Sequence, residues 1–145
     1  MAFLESSDLL RKEHLEILRV AEHLSQALAL AGKEDFTARQ QGLAGLRVLR
    51  PALLGVSRHC CCEEGVLESP YHRYLDGQRF EQVDGQHKAI HRLVLAFLRD
   101  VLYATADSIA DSVPQGEELV EKIREHIAYE ENLLDYIEEL CLVTT

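Results

Sequence analysis

Apolar residues recur at intervals of three and four along most of the chain, in four long stretches divided by Gly- and Pro-bearing breaks. The first, "SSDLLRKEHLEILRVAEHLSQALALAG", opens on a Ser/Asp start signal and reaches Gly32, a helix stop. A second runs from about Phe36 to about Leu67 with Pro51 in its middle, where the missing N–H kinks or splits a helix. "ESPYHRYLDG", with Pro70 and Gly77, closes it. The third is expected to begin between Arg79 and Asp84 and to end near Asp107, and the fourth follows the turn "DSIADSVPQGEE" and extends to about Leu142. There is no β alternation, no fixed-period repeat and no linker-like composition. The expectation is an all-α chain, a single domain over residues 1–145, folded as an up-down-up-down four-helix bundle.

The apolar stripes are interrupted in a consistent way. Helix one reads Leu10, His14, Ile17, Leu18, Ala21, Leu24, Leu28, and helix two reads Ala52, Val56, His59, Glu63, Val66. Helix three reads Val83, His87, His91, Val94, Leu98, Val101 with Ile90 alongside, and helix four reads Leu119, Ile123, His126, Glu130, Leu133, Ile137, Leu140. Residues four apart differ by only about 40° around a helix, so His59/Glu63, His87/His91 and His126/Glu130 each aim at one place. A single histidine on such a stripe is ordinarily a hydrogen-bonded core residue. Five in phase on four helices, with two carboxylates and no Lys or Arg on the same stripes, are not, because an unpaired buried charge costs several kcal/mol. A bound cation removes that cost. His23 and His72 fall off the stripes and read as surface residues.

His14, His59, Glu63, His87, His91, His126 and Glu130 exceed the four ligands of a tetrahedral zinc, and the chain has no spaced thiolate pattern of the zinc-finger kind. They suit two ions. Imidazole with carboxylate selects iron, manganese or zinc over calcium or magnesium.

Composition narrows the partners. A net charge of -10, with Arg47, Arg50 and Arg58 too few to form a basic stripe, argues against nucleic acid. No apolar run is long enough for a membrane span, and "MAFLESSDLL" lacks the basic start of a secretory signal. Three of the four cysteines are consecutive, a poor disulfide framework, so the expected setting is a reducing cytoplasm. On the same helix as His59, Cys61 should look outward, while Cys60 and Cys62 line the packing between helices; Cys62 is also a candidate to tune the centre. Phe3, Leu4 and the terminal "CLVTT" are candidate homodimer contacts.

"RKEHLEILRVAEHL", "RHCCCEEGVLESPYHRYL", "GQHKAIHRL" and "REHIAYEENLLDYIEEL" together resemble the four ligand-bearing helices of haemerythrin-like, or HHE cation-binding, domains over nearly the whole chain. The specific feature is the ordered set His, His-x3-Glu-Glu, His-x3-His, His-x3-Glu-Glu. That resemblance implies a non-haem di-iron centre, with manganese or zinc as possible substitutes. His87, His91 and His126 would hold one iron, His14 and His59 the other, and Glu63 with a helix-four acid would bridge them beside an oxo or hydroxo group. The open position on the second iron would take dioxygen, peroxide or nitric oxide.

Oxygen-carrying members place an Asp five residues after the helix-four histidine, whereas here Glu130 stands four after and Glu131 five after. In a regular helix Glu131 lies about 140° from His126 and is expected to face water, so Glu130 is the expected bridge, and Glu63 is preferred over Glu64 on the same ground. This departure points away from reversible oxygen carriage, toward the sensors, iron handlers and nitrosative-stress proteins of the wider group. Ferritin-like centres are excluded, since no Glu stands three before His59, His87, His91 or His126. The leading expectation is a di-iron protein that binds or senses oxygen, peroxide or nitric oxide. The alternatives are a di-iron protein that reduces such oxidants or delivers iron for cluster repair, and an interaction module that loosens on metal loss.

Overall fold

The computed structural model describes the backbone of residues 2–67 and 76–144 and the side chains of residues 7–60 and 76–143. Five α-helices lie within those residues: α1 (Ala2–Ala31), α2 (Phe36–Val48), α3 (Arg50–Leu67), α4 (Gly77–Tyr103) and α5 (Val113–Thr144), with one 3-10 turn, Ile109–Ser112, before α5. No strand occurs among them, and none of these helices is long and apolar enough to cross a membrane.

The expected second helix is two. It breaks at Leu49, and Pro51 sits in the first turn of α3, where backbone N–H groups have no intrahelical acceptor and a proline costs nothing. Asp35 caps α2 through a 3.0 Å bond from the Ala38 N–H. α4 starts earlier than the apolar pattern implies, because Asp76 accepts the Arg79 N–H at 2.8 Å and nucleates the helix at Gly77. It also ends earlier, at Tyr103 rather than near Asp107. Beyond it, Arg47 donates to the Ala104 carbonyl at 2.8 Å and Arg39 to that of Ala106 at 2.7 Å, tying the chain end of α4 to α2.

The helices form a bundle. α1 packs on α2 and α5, and α4 packs on α3 and α5. Pairings such as Ser7 with Glu138, Arg11 with Asp135 and Glu22 with Arg124 set α1 and α5 antiparallel; Gln82 with Tyr129 and Gln86 with His126 do the same for α4 and α5. At the α1–α2 crossing Gly42 lets the backbones meet closely: a Cβ there would stand 2.4 Å from the Ala31 nitrogen.

Buried apolar residues fall into two clusters. The larger includes Leu24, Leu46, Leu53, Phe97, Leu119 and Ile123; the smaller is Leu10, Val83, Leu133, Leu134 and Ile137. Along α1, α4 and α5 the histidines fall between the two. Cys60 is buried in the larger cluster, as expected, and His23 is exposed; the side chains of Cys61 and Cys62, and His72, lie outside the described residues.

Two stripes are phased differently from the expectation. On α3, Leu53 is fully buried while Ala52 is half-buried. On α4 the fully buried positions are Val83, His87, Ile90, Val94, Phe97 and Val101, so Ile90 takes the centre and His91 and Leu98 lie at its edge. Steps of alternating three and four residues keep a straight helix on one line, and Ile90 rather than His91 continues it from His87 to Val94.

Candidate metal centre

Four helices each bring a histidine into the layer between the two apolar clusters. His14, His59, His87 and His126 are all nearly inaccessible to solvent, as is Glu130. Their donor atoms form two groups, His14, His59 and Glu130, and His87, His126 and Glu130, each with all atoms within 4.8 Å of one another.

Glu130 joins the groups by splitting its carboxylate between them. Its Oε2 lies 2.7 Å from His14 Nε2, while its Oε1 lies 2.8 Å from His87 Nε2 and 2.7 Å from His126 Nε2. The His14 and His59 rings meet edge to face at 5.4 Å between centroids, and those of His87 and His126 at 4.5 Å. His126 Nε2 is buried and makes no hydrogen bond, although Oε1 is so near. Two donors close together but not aimed at each other fit a cation between them. The set of imidazoles and one shared carboxylate suits a borderline first-row ion.

Three ring nitrogens turned away from Glu130 are held by hydrogen bonds. His14 Nδ1 is hydrogen-bonded to Glu131 Oε1 at 2.7 Å, His126 Nδ1 to Gln86 Oε1 at 2.6 Å and His91 Nδ1 to Ser57 Oγ; His59 Nδ1 stands 2.6 Å from Glu13 Oε1 but is not aligned for a hydrogen bond. Such partners fix ring orientation and leave the opposite nitrogen for an ion. Arg11 in turn pairs with Glu131, with Asp135 at 2.7 Å and with Glu138 at 3.1 Å. Burial alone would lower the Arg11 pKa, but the hydrogen bonds it donates to Asp135 and Glu138 and the charges of Glu131 and Glu138 outweigh it and raise it above the ordinary guanidinium value.

Of the residues singled out from sequence, His14, His59, His87, His126 and Glu130 come together. His91 belongs to neither group among the described residues; it is half-buried on the α3 side of α4, beside Ser57. Glu63 lies in α3 near its C-terminal end, and its side chain is outside the described residues.

Glu131 corrects an expectation. Its side chain is 30% exposed and engaged by neighbours rather than free in water. Turned about 100° from Glu130, it points along the α1–α5 seam, reaching His14 and Arg11 with no π-bulge in α5. Glu13, Gln86 and Ser57 went unmarked because they lie off the apolar stripes; the signal was their position, one residue before His14, one before His87 and two before His59.

A helical bundle whose separate helices project imidazoles and a common carboxylate into one buried layer defines a class of cation-binding bundle proteins. Within that class the chain matches the Hemerythrin HHE cation binding domain over residues 5–135, and it belongs to that family. No curated protein and no solved structure matches it.

Proposed function

We propose that the layer holds two iron ions bridged by Glu130, and that the chain binds or senses dioxygen, peroxide or nitric oxide in the cytoplasm. The observation carrying this reading is the division of the Glu130 carboxylate, one oxygen toward His14 and the other toward His87 and His126. A single ion would not need a donor set that separates into two groups around one acid. In this reading Glu63 and His91 complete the set, and the His14/His59 position, with one imidazole fewer, keeps a place for the small ligand. When bound, the iron pair supplies that exchangeable position and electrons for an oxidant.

The remaining work belongs to the protein. Glu131 and Gln86 orient His14 and His126, while Ile90, Ile123 and Ile127 on one side and Leu10, Val83 and Leu133 on the other keep water from the layer. Manganese or zinc would satisfy the same donors.

Metal analysis with an optical spectrum tests the proposal. Two irons per chain, and a charge-transfer band that forms and persists when the anaerobically reduced protein meets oxygen, are expected. One ion per chain, or a protein that takes up zinc alone, would overturn it. Repeated consumption of oxidant with a supplied reductant would instead favour turnover.

A further inference from the structure

α2 and the first part of α3 carry a charge opposite to that of the chain. Residues 36–62 hold Arg39, Arg47, Arg50 and Arg58 and no Asp, Glu or Lys, against a net charge of -10 for the whole sequence. Too few for a phosphate backbone, these arginines border something else. Where the segment meets the C-terminal half of α4, the apolar side chains of Leu95, Leu102 and Tyr103 are exposed.

Those side chains belong to a groove. Leu54, Leu95, Leu98 and Leu102 floor a cleft of about 270 Å³ between α3 and α4, with Arg50 and Arg99 at its rim. A second cleft of about 190 Å³ continues it past Arg50 to Leu46 and Arg47, sharing Leu98 and Leu102. Leu95, Leu98 and Leu102 stand at i, i+3 and i+7, one face of α4 over two turns. Arg50 makes no ion pair with a described residue, and Arg99 has its sequence neighbour Asp100 at 3.9 Å. Leu98 is eleven residues beyond His87, about 16 Å along α4, so the groove is separate from the metal layer and does not depend on what that layer holds.

Single exposed leucines are ordinary on a surface, whereas a continuous apolar groove under guanidinium groups is a place for a partner. Shape and charge select it. A small-molecule site encloses most of its ligand, and this groove is open along its length, which suits an elongated occupant. An apolar floor two turns long with a cationic rim complements a helix whose apolar stripe is flanked by Asp or Glu. A second copy laid face to face would bring two arginine rims together, and an extended anionic bilayer would also meet the acidic remainder of the chain. We propose that the α3–α4 groove docks an acidic amphipathic helix of another protein. The leucines supply the buried contact, and Arg50 and Arg99 set its orientation.

The test follows the fluorescence anisotropy of a dye-labelled peptide of about 14 residues, roughly four helical turns, with Leu at i, i+3, i+4 and i+7 and Glu and Ala elsewhere, titrated with the full chain. Wild type is expected to bind it at micromolar concentrations and more weakly as salt rises. Arg50→Glu and Arg99→Glu should each weaken binding about tenfold, and the doubly reversed protein should prefer the same peptide with Lys in place of Glu. Leu102→Ser should also weaken it about tenfold, while Arg19→Glu, exposed on α1 outside the groove, should leave it unchanged. All four positions are exposed, and circular dichroism checks that the variants stay helical. No binding of the acidic peptide, or binding that Arg50→Glu and Leu102→Ser leave intact, overturns the proposal. Binding to phosphatidylserine vesicles that the peptide does not displace would overturn it in favour of a membrane surface. A dimer in sedimentation equilibrium that Leu102→Ser dissociates would overturn it in favour of a second copy.

Discussion

One carboxylate serves three imidazoles. Glu130 faces His14, His87 and His126 at 2.7 to 2.8 Å, so Glu130→Ala removes a donor from both groups at once. The expected result is a loss of metal affinity of roughly a hundredfold or more, beyond what removing an outer partner costs, read by competition with a chromophoric chelator while circular dichroism stays helical. Arg11 acts at the same scale through charge. Its side chain is 28% exposed and holds three carboxylates together, so Arg11→Ala should cost about 1 kcal/mol in urea unfolding, and less in high salt as the released repulsion is screened. Position in sequence made Glu130 legible, because four residues after His126 is nearly one helical turn. It left Glu131 illegible: its direction from the helix axis was correct, but the seam it points into is formed by α1, which no pattern within α5 reveals.

Among the elements, local chemistry set the boundaries more than hydrophobic phase did. The break at Leu49 and the early start of α4 come from Pro51 and the Asp76 cap, both visible as residues and both outweighing the periodic pattern around them. Two glycines separate packing from propensity. At Gly42 a Cβ would stand 2.4 Å from the Ala31 nitrogen and 2.8 Å from the Ala27 carbonyl oxygen, both backbone atoms that cannot yield, so Gly42→Ala must push α2 off α1. We expect a loss of about 3 kcal/mol in chemical denaturation. At Gly55 nothing lies within 4 Å of a Cβ and the residue is exposed inside α3, so Gly55→Ala should gain about 0.5 to 1 kcal/mol. Opposite signs for one substitution type, measured side by side, check the α1–α2 crossing.

For the molecule as a whole, the polar layer between two apolar clusters ties folding to metal. With free ion at a hundred times its dissociation constant, binding to the folded state alone adds about 2.7 kcal/mol for each ion held. For a chain of this size that is about 5 to 10 °C in melting temperature per ion, so chelator treatment should lower the midpoint by at least that amount and restoring iron should recover it. Calorimetry of the two forms measures it, and equal midpoints would show that the layer is stable without an ion.

Periodicity alone fixed the helical class and put His14, His59, His87, His126 and Glu130 on buried faces, because a buried polar residue must keep the spacing of the apolar residues beside it. Only the tertiary structure decided that Ile90 rather than His91 holds the centre line of α4, that Glu130 divides its oxygens between two groups, and that Glu131 stands behind His14 and Gln86 behind His126. Those features depend on the rotation of each helix about its axis and on which neighbour faces it. Both are set by packing between segments far apart in the chain, and no spacing within a single helix contains them.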